Sequence, residues 1–220
     1  MKAKFNFGAC RHLPMITIID YQAGNLTSVR RALEYIGLPC RVSADPEQVL
    51  TAERVIFPGV GHAASAMQVL PRGGLDEALK TVYTRGTPIL GICLGAQIIL
   101  SHSDEGNTPC LGLIDGNCPR FSLADPTLKI PHMGWNAVQV IQFHYILKDV
   151  RPVDEFYFVH SYYPQPVEAQ HVFAAAEYEK FFPAAIGCRN LFAVQFHPEK
   201  SGMAGLNLLR NFAAWDGSTT

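Results

Sequence analysis

Residues 88–100 read Pro-Ile-Leu-Gly-Ile-Cys-Leu-Gly-Ala-Gln-Ile-Ile-Leu, and the fold turns on how that run is divided. Residues 88–92 form an apolar strand and residues 94–100 an apolar helix, with Cys93 on the turn between them. Glycines at 91 and 95 flank the cysteine in a G-x-C-x-G pattern. A turn this sharp leaves no room for side chains beside it, which is why glycine is needed on both sides. The cysteine then lies at the N-terminus of a helix, where the dipole favours thiolate over thiol. The N–H of Leu94 points where an oxyanion would form. A lone cysteine in such a turn is more often buried and inert. The two glycines bring the nucleophile reading level with that one.

Upstream, the same alternation of strand and helix continues. Residues 16–20 are a short apolar strand. Leu26, Val29, Leu33 and Ile36 then recur at helical spacing, and Gly37 stands where a helix C-terminal glycine belongs. Residues 55–57 are a second strand, stopped by Pro58-Gly59. Leu75, Ala78, Leu79 and Val82 give another helical face, ended by Gly86. Such alternation builds right-handed crossovers on a parallel sheet. The second half is different. Residues 113–121, 136–141, 156–159, 171–178, 184–188 and 192–196 are strand-like runs, and helical periodicity returns only with Leu206, Leu209, Phe212 and Ala213. The expected fold is therefore α/β: a central, mostly parallel sheet carrying an inserted mixed or antiparallel strand region. It forms one domain over residues 15–215. Residues 1–14 are expected to be an N-terminal extension, with Met15 a natural start.

The composition narrows the function. The chain has 220 residues, 48% hydrophobic and 17% charged, which excludes intrinsic disorder. Eighteen Lys and Arg against nineteen Asp and Glu give a net charge of −1, arguing against a nucleic-acid or anionic-membrane footprint. The low charge hints that a partner covers part of the surface. The longest apolar stretch, residues 88–100, is shorter than the roughly 20 residues a membrane span needs. Lys2, Lys4 and Arg11 precede no apolar core of a signal peptide. The six cysteines (10, 40, 93, 110, 118 and 188) form no C-x-x-C pair, which points to a reducing compartment, the cytoplasm.

A thiolate acting on an amide needs a proton shuttle and a group to orient it. His197 ends the apolar run 192–196, Pro198 stiffens the turn, and Glu199 lies two residues on. A carboxylate there accepts from one imidazole nitrogen while the other faces the thiol. Alone, H-x-E is also what a strand-end histidine with a surface glutamate looks like. Pro58-Gly59-Val60-Gly61 follows a parallel strand, at the end where ligands of open α/β sheets bind. Its glycines let the Val60 peptide approach a substrate and supply a second oxyanion donor, although an ordinary glycine-rich turn reads the same. Ala64 stands where a dinucleotide motif needs its third glycine. His12, His102, His144 and His171 have no partner pattern and read as structural or surface. The sequence holds no metal-ligand cluster, phosphate loop or heptad, so neither metal nor cofactor is expected.

Gly91-Ile92-Cys93-Leu94-Gly95-Ala96-Gln97 and His197-Pro198-Glu199 together resemble the triad-type class I glutamine amidotransferases. The resemblance implies a flavodoxin-like three-layer fold. It also implies hydrolysis of glutamine to glutamate and ammonia through a thioester. Carried over, Cys93 is the nucleophile, His197 the base and then acid, and Glu199 the orienting carboxylate. Gln97 resembles the contact to bound glutamine, and His160-Ser161-Tyr162 the loop whose backbone holds its α-carboxylate. Asp20-Tyr21-Gln22-Ala23-Gly24-Asn25-Leu26, Pro58-Gly59-Val60-Gly61, Pro131-His132-Met133-Gly134-Trp135-Asn136 and Phe196–Ser201 narrow the likeness to the glutaminase subunits of imidazole glycerol phosphate synthase. It spans about residues 15–215. Gln22 departs from the glycine more usual there, and residues 1–14 have no counterpart.

That narrower likeness implies a (β/α)₈-barrel cyclase subunit as heterodimeric partner, with Asn25, Trp135 and Lys200 expected on the interface and on the same side as Cys93. The products would be imidazole glycerol phosphate and the purine precursor AICAR, in histidine biosynthesis. Four rivals remain beside it. They are a stand-alone γ-glutamyl hydrolase, a paralogue serving sugar amination for surface polysaccharides, a non-enzymatic interaction module and a flavodoxin-like cofactor binder. The intact triad argues against the third, and the missing phosphate loop against the fourth.

Overall fold

A computed structural model describes residues 13–22 and 26–218 of the chain. In the first half, β1 (Ile16–Ile19), α1 (Leu26–Tyr35), β2 (Cys40–Ser43), α2 (Pro46–Leu50) and β3 (Arg54–Gly59) lead to α3 (Ala63–Val69), α4 (Leu75–Arg85), β4 (Ile89–Cys93) and α5 (Leu94–Ile98). Four short or moderate strands follow: β5 (His102–Ser103), β6 (Thr108–Pro109), β7 (Gly116–Cys118) and β8 (His132–Ala137). Then come β9 (Gln139–Val140), β10 (Glu155–His160), β11 (Gln165–Pro166), β12 (Val172–Tyr178), β13 (Lys180–Cys188), β14 (Leu191–Val194) and the closing helix α6 (Gly202–Ala214).

The main sheet has the order β2-β1-β3-β4-β14-β13-β12-β9. Its first five strands are parallel, and β13, β12 and β9 add an antiparallel wing. Alternation along the parallel strands sends side chains to two separate cores. Ile16, Ile18, Ile56, Leu90 and Ile92 pack with α1 and α6 through Val29, Leu33, Leu209 and Phe212. Ile19, Val55, Phe57 and Ile89 pack with α3 and α4 through Ala66, Leu75, Leu79 and Val82. Burial on both faces is why these strands read as continuous apolar runs. The expected layered α/β sheet with a mixed insertion is the observed one.

Several boundaries differ. β3 runs on through Pro58 and Gly59, which pair with Ile92 and Cys93. Its pairing with β1 ends at Ile56, so beyond that point a proline interrupts no ladder on the β1 side. The helix after Cys93 stops at Ile98. The run 113–121 contributes only β7, and the run 136–141 is divided between the end of β8 and β9. Residues 131–136, which lie between the expected strand-like runs except for Asn136, are largely β8, which pairs antiparallel with β10. β2, α2 and α3 had no sequence signal. The two helices have five and seven residues, too short for periodicity, and are set by capping from Asp45 and His62. Residues 1–12 of the expected extension lie outside the described residues.

The glycines of the G-x-C-x-G run have the role their position demands. A Cβ on Gly95 would overlap the Phe57 carbonyl, and one on Gly91 would come within 2.9 Å of Ala193 Cβ. Helix α5 therefore packs directly onto the backbone of β3. Gly95→Ala is expected to destabilise the fold by about 2–4 kcal/mol. That lowers the thermal midpoint by roughly 5–12 °C, as differential scanning calorimetry would measure.

Candidate active site

Cys93 ends β4 with φ 55° and ψ −108°, a conformation that L side chains rarely adopt. It is buried, and α5 starts at the next residue, so the Leu94 N–H belongs to the unpaired first turn of that helix. β14 runs parallel beside β4, with Val194 opposite Ile92. The chain leaving β14 therefore passes Cys93. Residues 195 and 197, on the segment just beyond β14, both face Cys93. His197 is tied by its N–H to the Tyr157 carbonyl at 2.9 Å.

His197 Nδ1 donates to Glu199 Oε1 at 2.8 Å, and both side chains are only 2% exposed. The 3₁₀ turn Pro198–Lys200 brings the carboxylate back under the ring. His197 Nε2 is buried without a hydrogen-bond partner of ordinary geometry, and the group it faces is the Cys93 sulfur. Burial alone would strip the imidazole of its proton. Cys93 and Glu199 outweigh it and hold the ring protonated, up to about 10.

A cavity of about 290 Å³ opens beside Cys93. Val60, Gly61, Leu94, Gln97, His160, Ser161 and Tyr162, all singled out in the sequence, line it. Gly59 does not. It sits behind the cavity, in β3, where a Cβ would overlap the Tyr21 hydroxyl. Gly61 has φ +109°, so this turn does need glycine. Gln97 is buried and donates from Nε2 to both the Tyr162 carbonyl (2.9 Å) and Gln195 Oε1 (3.0 Å). The imidazole of His160 is likewise engaged, with the Tyr162 carbonyl at 2.8 Å and His132 at 3.1 Å.

Trp135 is on β8, 54% exposed, and is not part of the core. Its ring lies 6.0 Å from Tyr157, whose ring is 6.4 Å from His197. Lys200 is exposed and carries Nζ 5.6 Å from the Tyr157 ring. Trp135 and Lys200 thus share the side of the molecule that holds His197. Asn25 lies outside the described residues.

The sequence reading missed two groups at this site. Gln195 Nε2 donates to Cys93 Sγ at 3.8 Å. Glu105 lines the cavity, held by the Ala63 N–H at 2.7 Å. Gln195 had one signal, its i, i+2 spacing from His197. Glu105, in a polar turn, had none.

Over residues 17–214 the chain matches the family model of class-I glutamine amidotransferases. The chain belongs to that family. Among curated relatives, the imidazole glycerol phosphate synthase subunit HisH of Nitratidesulfovibrio vulgaris (strain DSM 19637 / Miyazaki F) is 50% identical over 206 residues, 91% of this chain and 97% of that protein. The HisH of Desulfovibrio desulfuricans (strain ATCC 27774 / DSM 6949 / MB) is 48% identical over 203 residues, covering 90% and 93%. Among solved structures, PurLQS from Thermotoga maritima has the same fold, with TM-score 0.69 at 17% identity over 91% of this chain and 98% of that one.

The roles expected from the sequence, His197 as proton shuttle and Glu199 as orienting carboxylate, give unequal expectations. His197→Ala should slow glutamine hydrolysis by at least about 10²-fold, and Glu199→Gln by less, since the carboxylate moves no proton. The raised His197 value also has a sign in stability. Its stabilisation is fully present below the unfolded value near 6.5 and is lost as pH rises through about 10. The urea midpoint of the wild type should therefore exceed that of Glu199→Gln by more at pH 7 than at pH 10.

Proposed function

We propose that the chain is the glutaminase subunit of imidazole glycerol phosphate synthase, supplying ammonia to the cyclase subunit HisF, a (β/α)₈ barrel, in the cytoplasm. The observation that carries this reading is the buried Cys93–His197–Glu199 line at a glutamine-sized cavity, in a chain half identical to HisH proteins.

In this reading the Cys93 thiolate adds to the γ-amide carbon of glutamine. The resulting oxyanion is met by the N–H of Leu94 and the peptide of the Val60 turn. His197, having taken the thiol proton, gives it to the departing nitrogen, and ammonia leaves. The thioester is then attacked by water, whose proton passes to His197, and glutamate is released. The backbone of Ser161 and Tyr162 receives the α-carboxylate. Glu105, the carboxylate of the cavity wall, matches the α-ammonium group. Gln97 has spent both amide hydrogens, so its contact to substrate is made by its oxygen.

The partner surface follows from the β8–β10 pair. Its outward residues include Met133, 62% exposed, and Trp135, while Val159 and Pro131 reach the cavity wall. An exposed apolar strip running from a cavity mouth fits a subunit that seals the cavity. Lys200 stands at the end of that strip and offers a charge to a carboxylate on the barrel.

Cys93→Ser is expected to abolish glutamine hydrolysis, measured with and without the barrel subunit and its ribotide ligand, while the thermal midpoint stays close to wild type. Activity near the wild-type rate would overturn the assignment. The electrophile diazo-oxo-norleucine should label Cys93 alone among the six cysteines. Lys200→Ala should lower the stimulation by the barrel, or raise glutamate made per imidazole product, with little change in the subunit's melting temperature. Unchanged stimulation and ratio would remove Lys200 from the interface.

A further inference from the structure

One backbone carbonyl dictates the polarity of a hydrogen-bond chain that reaches the nucleophile. A carbonyl oxygen can only accept, so both side chains bonded to Tyr162 O, those of Gln97 and His160, must donate to it. The Gln97 amide nitrogen is thereby placed, and its second hydrogen goes to Gln195. Gln195 must meet it with oxygen, because the opposite orientation would set one NH₂ group against another. That leaves the Gln195 NH₂ group turned to Cys93 Sγ, 3.8 Å away. Gln195 is fully buried, so no water competes for the bond.

The other branch runs outward with the same logic. His160 donates from Nδ1, so its Nε2 accepts from His132 Nδ1 at 3.1 Å. His132 Nε2 in turn accepts from Asn136 Nδ2 at 3.3 Å. Both imidazoles must be neutral for this to close. Burial pulls them down, His132 to about 4 and His160 to about 3.

We propose that Gln195 acts on the nucleophile directly, as a second N–H donor to the Cys93 sulfur beside His197, with Gln97 and His160 positioning it through the Tyr162 carbonyl. The proposal rests on Cys93 being the nucleophile. An N–H aimed at sulfur stabilises the thiolate and has little to offer a thiol. It also fixes the direction of the sulfur while His197 swings its proton towards the leaving nitrogen. The titratable groups around the sulfur, among the described residues, are His197 beyond β14, Tyr21 beyond β1, Cys118 on β7, and Glu105 and His160 in the wall of the cavity. None of them is altered by a change at residue 195.

The test is the pH–rate profile of Cys93 alkylation by iodoacetamide, on the full chain without glutamine. Gln195→Met fills the space without a donor. Gln195→Glu keeps the oxygen that meets Gln97 and turns an oxygen to the sulfur. The pH of half-maximal alkylation should rise by about one unit in Gln195→Met and by more in Gln195→Glu. At pH 7 the rate should fall about three- to tenfold. Variants that keep the wild-type circular dichroism and the wild-type profile would overturn the proposal. Should both fail to fold, Gln97→Met removes the group that orients the amide. It should shift the profile in the same direction by a smaller amount, and no shift would overturn the proposal too. Selective alkylation of Cys93 in the wild type is the internal control. Its loss would count against the nucleophile, whereas selective alkylation with an unmoved profile counts against Gln195 alone.

Discussion

A cysteine held at φ 55° and ψ −108° between a strand and a helix is the constraint from which the site follows. Such a backbone costs of order 1–3 kcal/mol and persists only where its surroundings over-determine it. Here β4 is gripped on both sides, by β14 as far as Ile92 and by β3 up to the cysteine itself. Gly95 lets α5 lie directly on the β3 backbone at Phe57, closing the third side. Relaxing the cysteine would mean lifting that helix from the sheet. The sulfur therefore stays at the carboxyl ends of the parallel strands, where the segment leaving β14 brings Gln195 and His197 to it.

The two halves of the chain divide the site between them. The parallel part contributes Cys93, the Val60 turn and His197, all from ends of neighbouring strands. The inserted part contributes the opposite wall, through Val159, His160, Ser161 and Tyr162 at the end of β10. Gln97 bonds across the gap, from α5 to Tyr162, so the wall is fastened to the helix that follows Cys93. Cys118 adds a weaker tie, donating from sulfur to the Gln97 carbonyl at 3.8 Å.

What could be read from the sequence was whatever a local backbone demand enforces. The glycines around Cys93, the spacing of His197 to Glu199, and the three- and four-residue spacings of α1 and α4 are of this kind. β8 was missed as a strand because its inward residues are His132, Gly134 and Asn136, so its apolar alternation falls on the exposed face and marks no core. His132 and His160 are 28 positions apart and meet only through the antiparallel register that sets them opposite each other. Nothing near either residue announces the other. Trp135 illustrates the same gap. Its type suits a core or an interface, and only its place on the outward side of β8 separates the two.

That alternation along β8 gives the strand two faces with different work. Outward, Met133 and Trp135 expose apolar surface beside the cavity mouth. Inward, His132 and Asn136 bond into the chain that ends on the Tyr162 carbonyl. The inward chain is made of neutral donors and acceptors, each with one permitted direction, so it resists local rearrangement. A partner pressing on the outward face would meet a strand whose inner face is already fastened to the loop at Tyr162. Movement of that strand could not be absorbed by side-chain rotation alone. It would have to be taken up at Tyr162, the point where the fastening from β8 and the fastening from α5 meet.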